Sequence, residues 1–338
     1  MHRSGVVMAW NVFQFCTALR GLGSIMIFLV LGVVGVTYYS LVITSYGPAL
    51  FNGGLDSVEA LAILGLFHLL DCKDSFFECL SLGVLLGFNS RAILVMQLVM
   101  LLWSYFSVVL TNPGSVPPNW KPDVDEERGE DIDPLTGSET GLEQSGVHGD
   151  FANPRVRYCR KCNQFKPPRS HHCSVCGRCI LKMDHHCVWV VNCVGALNYK
   201  YFLLFLLYAF LETTLVSMSL LPPFLAFFTE EEIPGTPGTL ATTFLSFVLN
   251  LAFALSVMGF LIMHISLVAG NTTTIEAYEK SSPKWHFNLG RKKNFEQVFG
   301  TDKRYWFIPT YSEEDLRRMP ALQGLYYPCK APLDPQGF

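Results

Sequence analysis

The sequence predicts an α-helical multi-pass membrane protein, with four transmembrane helices and a cytosolic cysteine-rich domain between the second and third. Three observations carry that expectation. Of the 338 residues, 50% are hydrophobic and only 16% charged, whereas a soluble domain carries about 25% charged residues at a similar apolar fraction. Four stretches have the roughly 20 apolar residues that about 30 Å of hydrocarbon demands. Seven of the 11 cysteines crowd into the segment from Cys159 to Cys193, together with four histidines.

The elements follow in order. Residues 1–20 form a short N-terminus, and residues 21–44, uncharged and rich in Val, Leu, Ile and Gly, form the first span. Residues 45–91 make a loop with an unusual insertion: 57–70 and 80–88 are apolar but too short to cross, and they flank Asp71-Cys72-Lys73-Asp74. The second span is 92–111. Residues 112–154 are rich in Pro, Gly, Asp and Glu without hydrophobic period, which reads as a flexible acidic linker. The cysteine-rich domain occupies 155–200. The third span, 201–228, contains Glu212 and is interrupted by Pro222-Pro223 near its end. A loop at 229–239, a fourth span at 240–269 and a tail at 270–338 complete the chain.

Orientation follows from where Lys and Arg fall. The segments 112–200 and 270–338 hold 11 and 10 of the 25, while 229–239 has none and carries three glutamates. The cysteine-rich domain and the tail are therefore expected in the cytosol, with 45–91 and 229–239 lumenal. The first apolar stretch is too long and begins too late for a cleavable signal peptide. Asn271-Thr272-Thr273 matches a glycosylation sequon that this topology would leave silent. A net charge of −3 gives no reason to expect a nucleic-acid partner.

The cysteine cluster reads as ligands. Structural zinc takes four Cys or His ligands, with C-x2-C pairs as the usual chelating element. Two such pairs start at Cys159/Cys162 and Cys173/Cys176, followed by Cys179, Cys187 and Cys193, with His171, His172, His185 and His186 between. Two sites need eight ligands and eleven are on offer, so three are surplus; spacing alone leaves open which. An odd cysteine total and this spacing favour metal over disulfides and place the cluster on a reducing face. A surplus cysteine beside His and Asp is also the composition of an activated nucleophile, because a neighbouring imidazole turns thiol into reactive thiolate. Asp184 could orient a histidine that takes the proton of Cys187. The alternative is that Cys187 is a further ligand or a spare thiol. A zinc-stapled scaffold without chemistry, a RING-type ligase and a zinc-regulated transporter are the competing classes. The ten residues between Cys162 and Cys173 are too short a spacer for the RING pattern.

At these residues the chain resembles the DHHC-type protein S-acyltransferases, in wording closest to plant members. The pattern runs from Cys159 through Asp184-His185-His186-Cys187, Trp189, Asn192-Cys193 and Gly195 to Asn198. Outlying motifs stand in order at Asn112-Pro113-Gly114, Thr273-Thr274-Ile275-Glu276 and Asn294-Phe295 through Gly300. The resemblance implies two structural Zn2+ ions, one on Cys159, Cys162, His172 and Cys179, the other on Cys173, Cys176, His186 and Cys193. It implies Cys187 as nucleophile, His185 as base and Asp184 as orienting carboxylate, and leaves His171 without a task.

The implied reaction transfers a palmitoyl group from acyl-CoA to cysteines of membrane-associated proteins through an acyl-enzyme. A groove among the helices would hold the acyl chain, which gains roughly 0.8 kcal/mol per buried CH2, with Trp189 fixing the turn after the nucleophile. Lys166, Arg169, Arg178 and Lys182 are the local cations for the CoA phosphates. Thr274 and Glu276 are implied to brace the catalytic region, and Asn294 to tie the C-terminal element to the membrane domain. An endomembrane location follows from the family, the Golgi first and the plasma membrane as alternative. Asn112 stands where the family has Asp, which removes a carboxylate but leaves a hydrogen-bonding group; Val188 stands where many members have Pro. Glu212, ionisable at membrane depth, is expected to face the bundle interior, beside the groove and limiting chain length.

Overall fold

The computed structural model describes residues 90–122, 157–229, 236–279 and 287–329, and residues 25–36 in part; over 90–95 it describes the backbone alone. The N-terminus, the 45–89 loop and most of the linker, 123–154, lie outside the described residues, as does the centre of the 229–239 loop.

Helix α1 spans Ser90–Leu110. Three two-stranded antiparallel hairpins follow: β1 (Arg157–Cys159) with β2 (Gln164–Lys166), β3 (His171–Cys173) with β4 (Arg178–Ile180), and β5 (His185–Cys187) with β6 (Asn192–Val194). Helices α2 (Tyr199–Thr229) and α3 (Pro237–Gly270) come next. The tail adds α4 (Thr274–Tyr278), α5 (Arg291–Phe299), a 3-10 turn at Lys303–Tyr305, α6 (Glu313–Arg318) and α7 (Pro320–Gln323). Residues 25–36, within the expected first span, are helical where described.

Helices α2 and α3 are long and apolar enough to cross a membrane, with mean hydropathies of 1.8 and 2.2. Large apolar side chains such as Leu251, Leu255, Phe260 and Ile262 on α3 are exposed, as lipid contact requires. The expected break at Pro222-Pro223 does not occur, since both prolines lie inside α2, which runs on to Thr229. Prolines are tolerated in spanning helices because neighbouring groups re-satisfy the freed backbone. Helix α3 opens on a Thr236 cap with Pro237 in its first turn, and closes on Asn271 in the left-handed conformation at φ 48°. Asparagine accepts that conformation more readily than most residues, which makes it a competent helix terminator.

The hairpin domain sits on the bundle end where α1 and α3 finish and α2 begins. One core cluster joins Tyr105 and Val108 of α1, Cys187, Val190 and Val194 of the third hairpin, Phe202 and Leu203 of α2, and Val268 of α3. The Asn112-Pro113-Gly114 turn makes the seam. Leu181 N–H donates to the Gly114 carbonyl at 3.0 Å and Leu197 N–H to that of Pro113 at 3.2 Å. A Cβ on Gly195 would lie 2.7 Å from the Pro113 oxygen, so only glycine admits this approach. Asn112 Oδ1 accepts from the Gly114 N–H at 3.0 Å. The hydrogen-bonding role thus survives where the family carries an aspartate.

The tail is held by polar ties to the helices. Asn294 Nδ2 donates to the Ala269 carbonyl at the end of α3, 2.7 Å, and its Oδ1 accepts from Leu289 N–H at 3.0 Å. Lys200, fully buried at the start of α2, donates to the Tyr305 carbonyl at 2.7 Å and lies 4.3 Å from the Tyr311 ring centroid. Tyr208 OH donates to the Phe307 carbonyl at 2.6 Å.

Candidate active site and metal clusters

The interleaving of ligands follows from the hairpins. Each C-x2-C pair has its first cysteine at the end of one hairpin's first strand and its second in the loop, and strand pairing sets His172 opposite Cys179 and His186 opposite Cys193. The ligand atoms of Cys159, Cys162, His172 and Cys179 fall within 4.8 Å of one another, as do those of Cys173, Cys176, His186 and Cys193. Around His172 Nδ1 the three sulfurs stand at 3.6, 3.2 and 3.9 Å. Around His186 Nδ1 they stand at 3.7, 3.5 and 3.5 Å. Tetrahedral zinc, with Zn–S about 2.3 Å and Zn–N about 2.0 Å, separates such atoms by about 3.6 Å. Both donor sets therefore fit a structural metal, and both lack an open position for chemistry.

Cys187 belongs to neither set. It is buried, at the end of β5. Next to it His185 Nδ1 meets Asp184 Oδ2 at 2.7 Å, with Asp184 only 2% exposed. Asp184 is held from the far side of the chain: Thr274 N–H donates to Oδ1 at 2.9 Å and its hydroxyl to Oδ2 at 2.8 Å. With Nδ1 committed to the carboxylate, the other ring nitrogen of His185 is the one available to the Cys187 thiol, which helps raise the imidazole. The imidazole stacks edge-on to Phe202 at 5.2 Å and lies 5.7 Å from the His264 ring, whose Nδ1 is 3.1 Å from the Tyr199 hydroxyl.

The charges follow from these contacts. Burial works against a charged His185, but the Asp184 bond and the Cys187 thiol outweigh it and push it up to about 9. Burial raises Cys187, yet His185 and the N–H groups of Val190 and Trp189 hold its thiol below the usual value. Burial raises Asp184 too, and the His185 and Thr274 bonds hold it below the usual carboxylate range. A histidine held toward its charged form beside a thiol held toward thiolate, and backed by a carboxylate, is an arrangement suited to activating a sulfur nucleophile. An open cleft of about 520 Å³, lined by Asp184, His185, Thr274 and Tyr278 among others, gives onto the Asp184–His185 pair.

Two expected phosphate-binding cations are differently employed. Arg169 is 4% exposed; its guanidinium forms a two-point pair with Glu276, 2.7 Å at each contact, and donates to Asn271 Oδ1 and O at 3.0 and 2.9 Å. It also lies 4.4 Å from the Phe287 ring centroid. Lys182 is buried against Asn271 and the Tyr327 ring, and burial, with the Arg169 charge added, pushes it down to about 7. Neither points to solvent, because both serve to bind the tail. Arg178 donates to Ser115 Oγ at 2.8 Å and is half-buried, as is Lys166. His171 is half-buried as well, and burial beside Arg157 pushes it down to about 4.

Trp189 is 40% exposed on the apolar side, its ring edge-on to Phe253 of α3 at 6.3 Å. Glu212 lies within α2, its Oε2 buried without a hydrogen-bond partner among the described residues. Glu276 completes a capping box with Thr273 at the start of α4 while it holds Arg169. Asn271, seen in the sequence only as a sequon, is 3% exposed and also donates to the Phe287 carbonyl and Gln297 Oε1, at 2.8 and 2.9 Å. Tyr105 and His264 were not singled out by the sequence either. Lone apolar-helix tyrosines and histidines carry no local signal of the partner they will meet.

The model of the DHHC palmitoyltransferase family matches residues 152–281, the segment that contains both clusters and the Asp184–Cys187 run. Over 99% of its length the chain is 70% identical to the probable protein S-acyltransferase 14 of Arabidopsis thaliana, all of which is covered. It is 58% identical, over 96% of the chain and 97% of the relative, to the probable protein S-acyltransferase 13 of the same plant. Human palmitoyltransferase ZDHHC20 is 34% identical over 63% of this chain and 61% of its own. Two four-ligand cysteine and histidine clusters beside long apolar helices define the class, and the chain belongs to the DHHC family of protein S-acyltransferases.

Proposed function

We propose that the protein moves a palmitoyl group from acyl-CoA to cysteines of membrane-associated proteins in two steps, with Cys187 as the covalent carrier. The observation that carries this reading is the line Asp184–His185–Cys187 at the bundle end, in which Cys187 is the one cysteine of the 159–193 segment outside both ligand sets. The Cys187 thiolate attacks the thioester carbonyl; its sulfur–carbon bond forms, the CoA sulfur–carbon bond breaks, and the leaving CoA sulfur takes the proton of the His185 imidazolium. A substrate cysteine then gives its proton to His185 and attacks the acyl-enzyme, and Cys187 leaves as thiolate. Thioester exchange is nearly isoenergetic, so the protein supplies thiolate, proximity and a dry site for the chain.

Zinc in both clusters is supported by donor type and spacing; bound there, it would staple the hairpins, and each of its eight ligands would be spent on structure. Four spans, with hairpins and tail in the cytosol, agree with the charge distribution; the Golgi, with the plasma membrane as alternative, is the location the family resemblance suggests. Lys166 and Arg178 remain the local cations for the CoA phosphates. Trp189 and Glu212 are assigned to the acyl groove, the first near the nucleophile and the second at depth in α2.

The test is incubation of the purified protein with labelled palmitoyl-CoA followed by hydroxylamine, which cleaves thioesters. A hydroxylamine-sensitive label on Cys187 is expected. An absent or resistant label would remove the acyl-enzyme from the account.

A further inference from the structure

The three hairpins are variants of one unit. In each, a cysteine ends the first strand and a four-residue loop follows: Cys159 pairs with Gln164, Cys173 with Arg178, and Cys187 with Asn192. The fourth loop residue has a positive φ every time, Asn163 at 53°, Gly177 at 68° and Val191 at 52°. For a β-branched residue such as Val191 this is a genuine outlier, tolerated only where the surroundings over-determine the backbone. The third loop residue is Cys162, Cys176 and, in the last hairpin, Val190. Cys187 thus stands where the other two hairpins place their first metal ligand, in a knuckle whose second cysteine is replaced by valine.

The knuckle keeps its backbone groups. In the second hairpin the N–H of Cys176 points at Cys173 Sγ, 3.3 Å. In the third, Val190 holds the loop position of Cys176, and the N–H groups of Val190 and Trp189 help hold the Cys187 thiol below its usual value. A metal would clamp the first two loops by joining both cysteines; the third loop has no second cysteine to join. Its clamp is helix α1. Tyr105, 1% exposed, donates its hydroxyl to the Trp189 carbonyl at 3.1 Å. Asn192 Nδ2 is directed at the carbonyls of Val108, Val109 and Thr111, at 3.0, 3.3 and 2.9 Å. The Trp189 carbonyl and the Val190 N–H belong to one planar trans peptide and point to opposite sides of it. A hydroxyl that fixes the carbonyl therefore fixes the aim of the N–H.

We infer that Tyr105 is a positioning residue for acyl transfer, holding the Trp189–Val190 peptide so that its N–H stays on Cys187 Sγ and aims the sulfur at the thioester. It takes the place that a metal would hold in the other two knuckles. The inference rests on Cys187 being the acyl carrier.

The experiment is single-turnover loading of the full-length protein with labelled palmitoyl-CoA, over a range of concentrations, for wild type and Tyr105→Phe, with zinc content measured on the same samples. The ring remains in the variant and only the hydroxyl is lost. The maximal loading rate is expected to fall roughly three- to tenfold, the range set by one neutral hydrogen bond, with the half-saturating concentration unchanged and two zinc ions per chain retained. An unchanged maximal rate would overturn the inference, as would an effect confined to half-saturation. Loss of zinc would overturn it too, by assigning Tyr105 to the fold. A wild type that takes no hydroxylamine-sensitive label would bring down the acyl-carrier reading and this inference with it. A wild type that loads normally beside an unaffected variant would bring down this inference alone.

Discussion

Thr274 holds Asp184 with both of its donors, the backbone N–H on Oδ1 at 2.9 Å and the hydroxyl on Oδ2 at 2.8 Å, although the two residues are 90 apart in the chain. The same Oδ2 faces His185. The tail thereby fixes the carboxylate that holds His185, the proposed base. Thr274→Val keeps the shape and the N–H but deletes the hydroxyl. A hydrogen bond to a charged group is worth about 1.5–3 kcal/mol, so Cys187 loading should slow at least roughly tenfold with zinc content intact. An undiminished rate would show that the N–H suffices.

Arg169 and Glu276 join the hairpin domain to the start of the tail across 107 residues. The pair is nearly solvent-free, with side-chain exposures of 1% and 10%. Removing one partner of a buried pair strands the other charge, at a cost of roughly 3–5 kcal/mol. Glu276→Gln should lower the thermal unfolding midpoint by several degrees, and Arg169→Lys should do so as well because it lacks the fork that meets both oxygens. Midpoints equal to wild type would contradict the clasp.

The interleaved clusters predict a stoichiometry. Cys179→Ser and Cys193→Ser each break one four-ligand set. Metal analysis of either variant should give at most one zinc per chain. Two zincs in either would mean that the ligand set is wrongly drawn.

Glu212 supplies a buried acceptor without a described partner at depth in α2. Glu212→Leu should change which acyl-CoA lengths load Cys187 fastest. A profile identical to wild type across the series would detach this residue from the groove.

Much of this was legible in the sequence because it is local or periodic. Helix α2 was expected at 201–228 and runs Tyr199–Thr229; α3 was expected at 240–269 and runs Pro237–Gly270. Continuous apolar runs report themselves, whereas Pro222-Pro223 misled because a proline's effect depends on what surrounds the helix. The Asp184-His185-His186-Cys187 run could be read for chemistry because its members are adjacent. Burial of charge could not be read so. Arg169 and Lys182 look like surface cations until Glu276, Asn271 and Tyr327 arrive from the tail. Asn271 looked like a sequon, since its left-handed backbone at φ 48° and its bonds with Arg169, Phe287 and Gln297 exist only in the fold. Tyr105 gave no signal at all, because its partner is a main-chain carbonyl 84 residues away.

The central claim is that Cys187 carries the acyl group and holds no metal. Cys187→Ser, assayed on one purified sample for zinc and for labelling by palmitoyl-CoA, tests both halves together. Two zinc ions per chain and no hydroxylamine-sensitive label are expected. A labelled variant, or one that has lost a zinc, would contradict it.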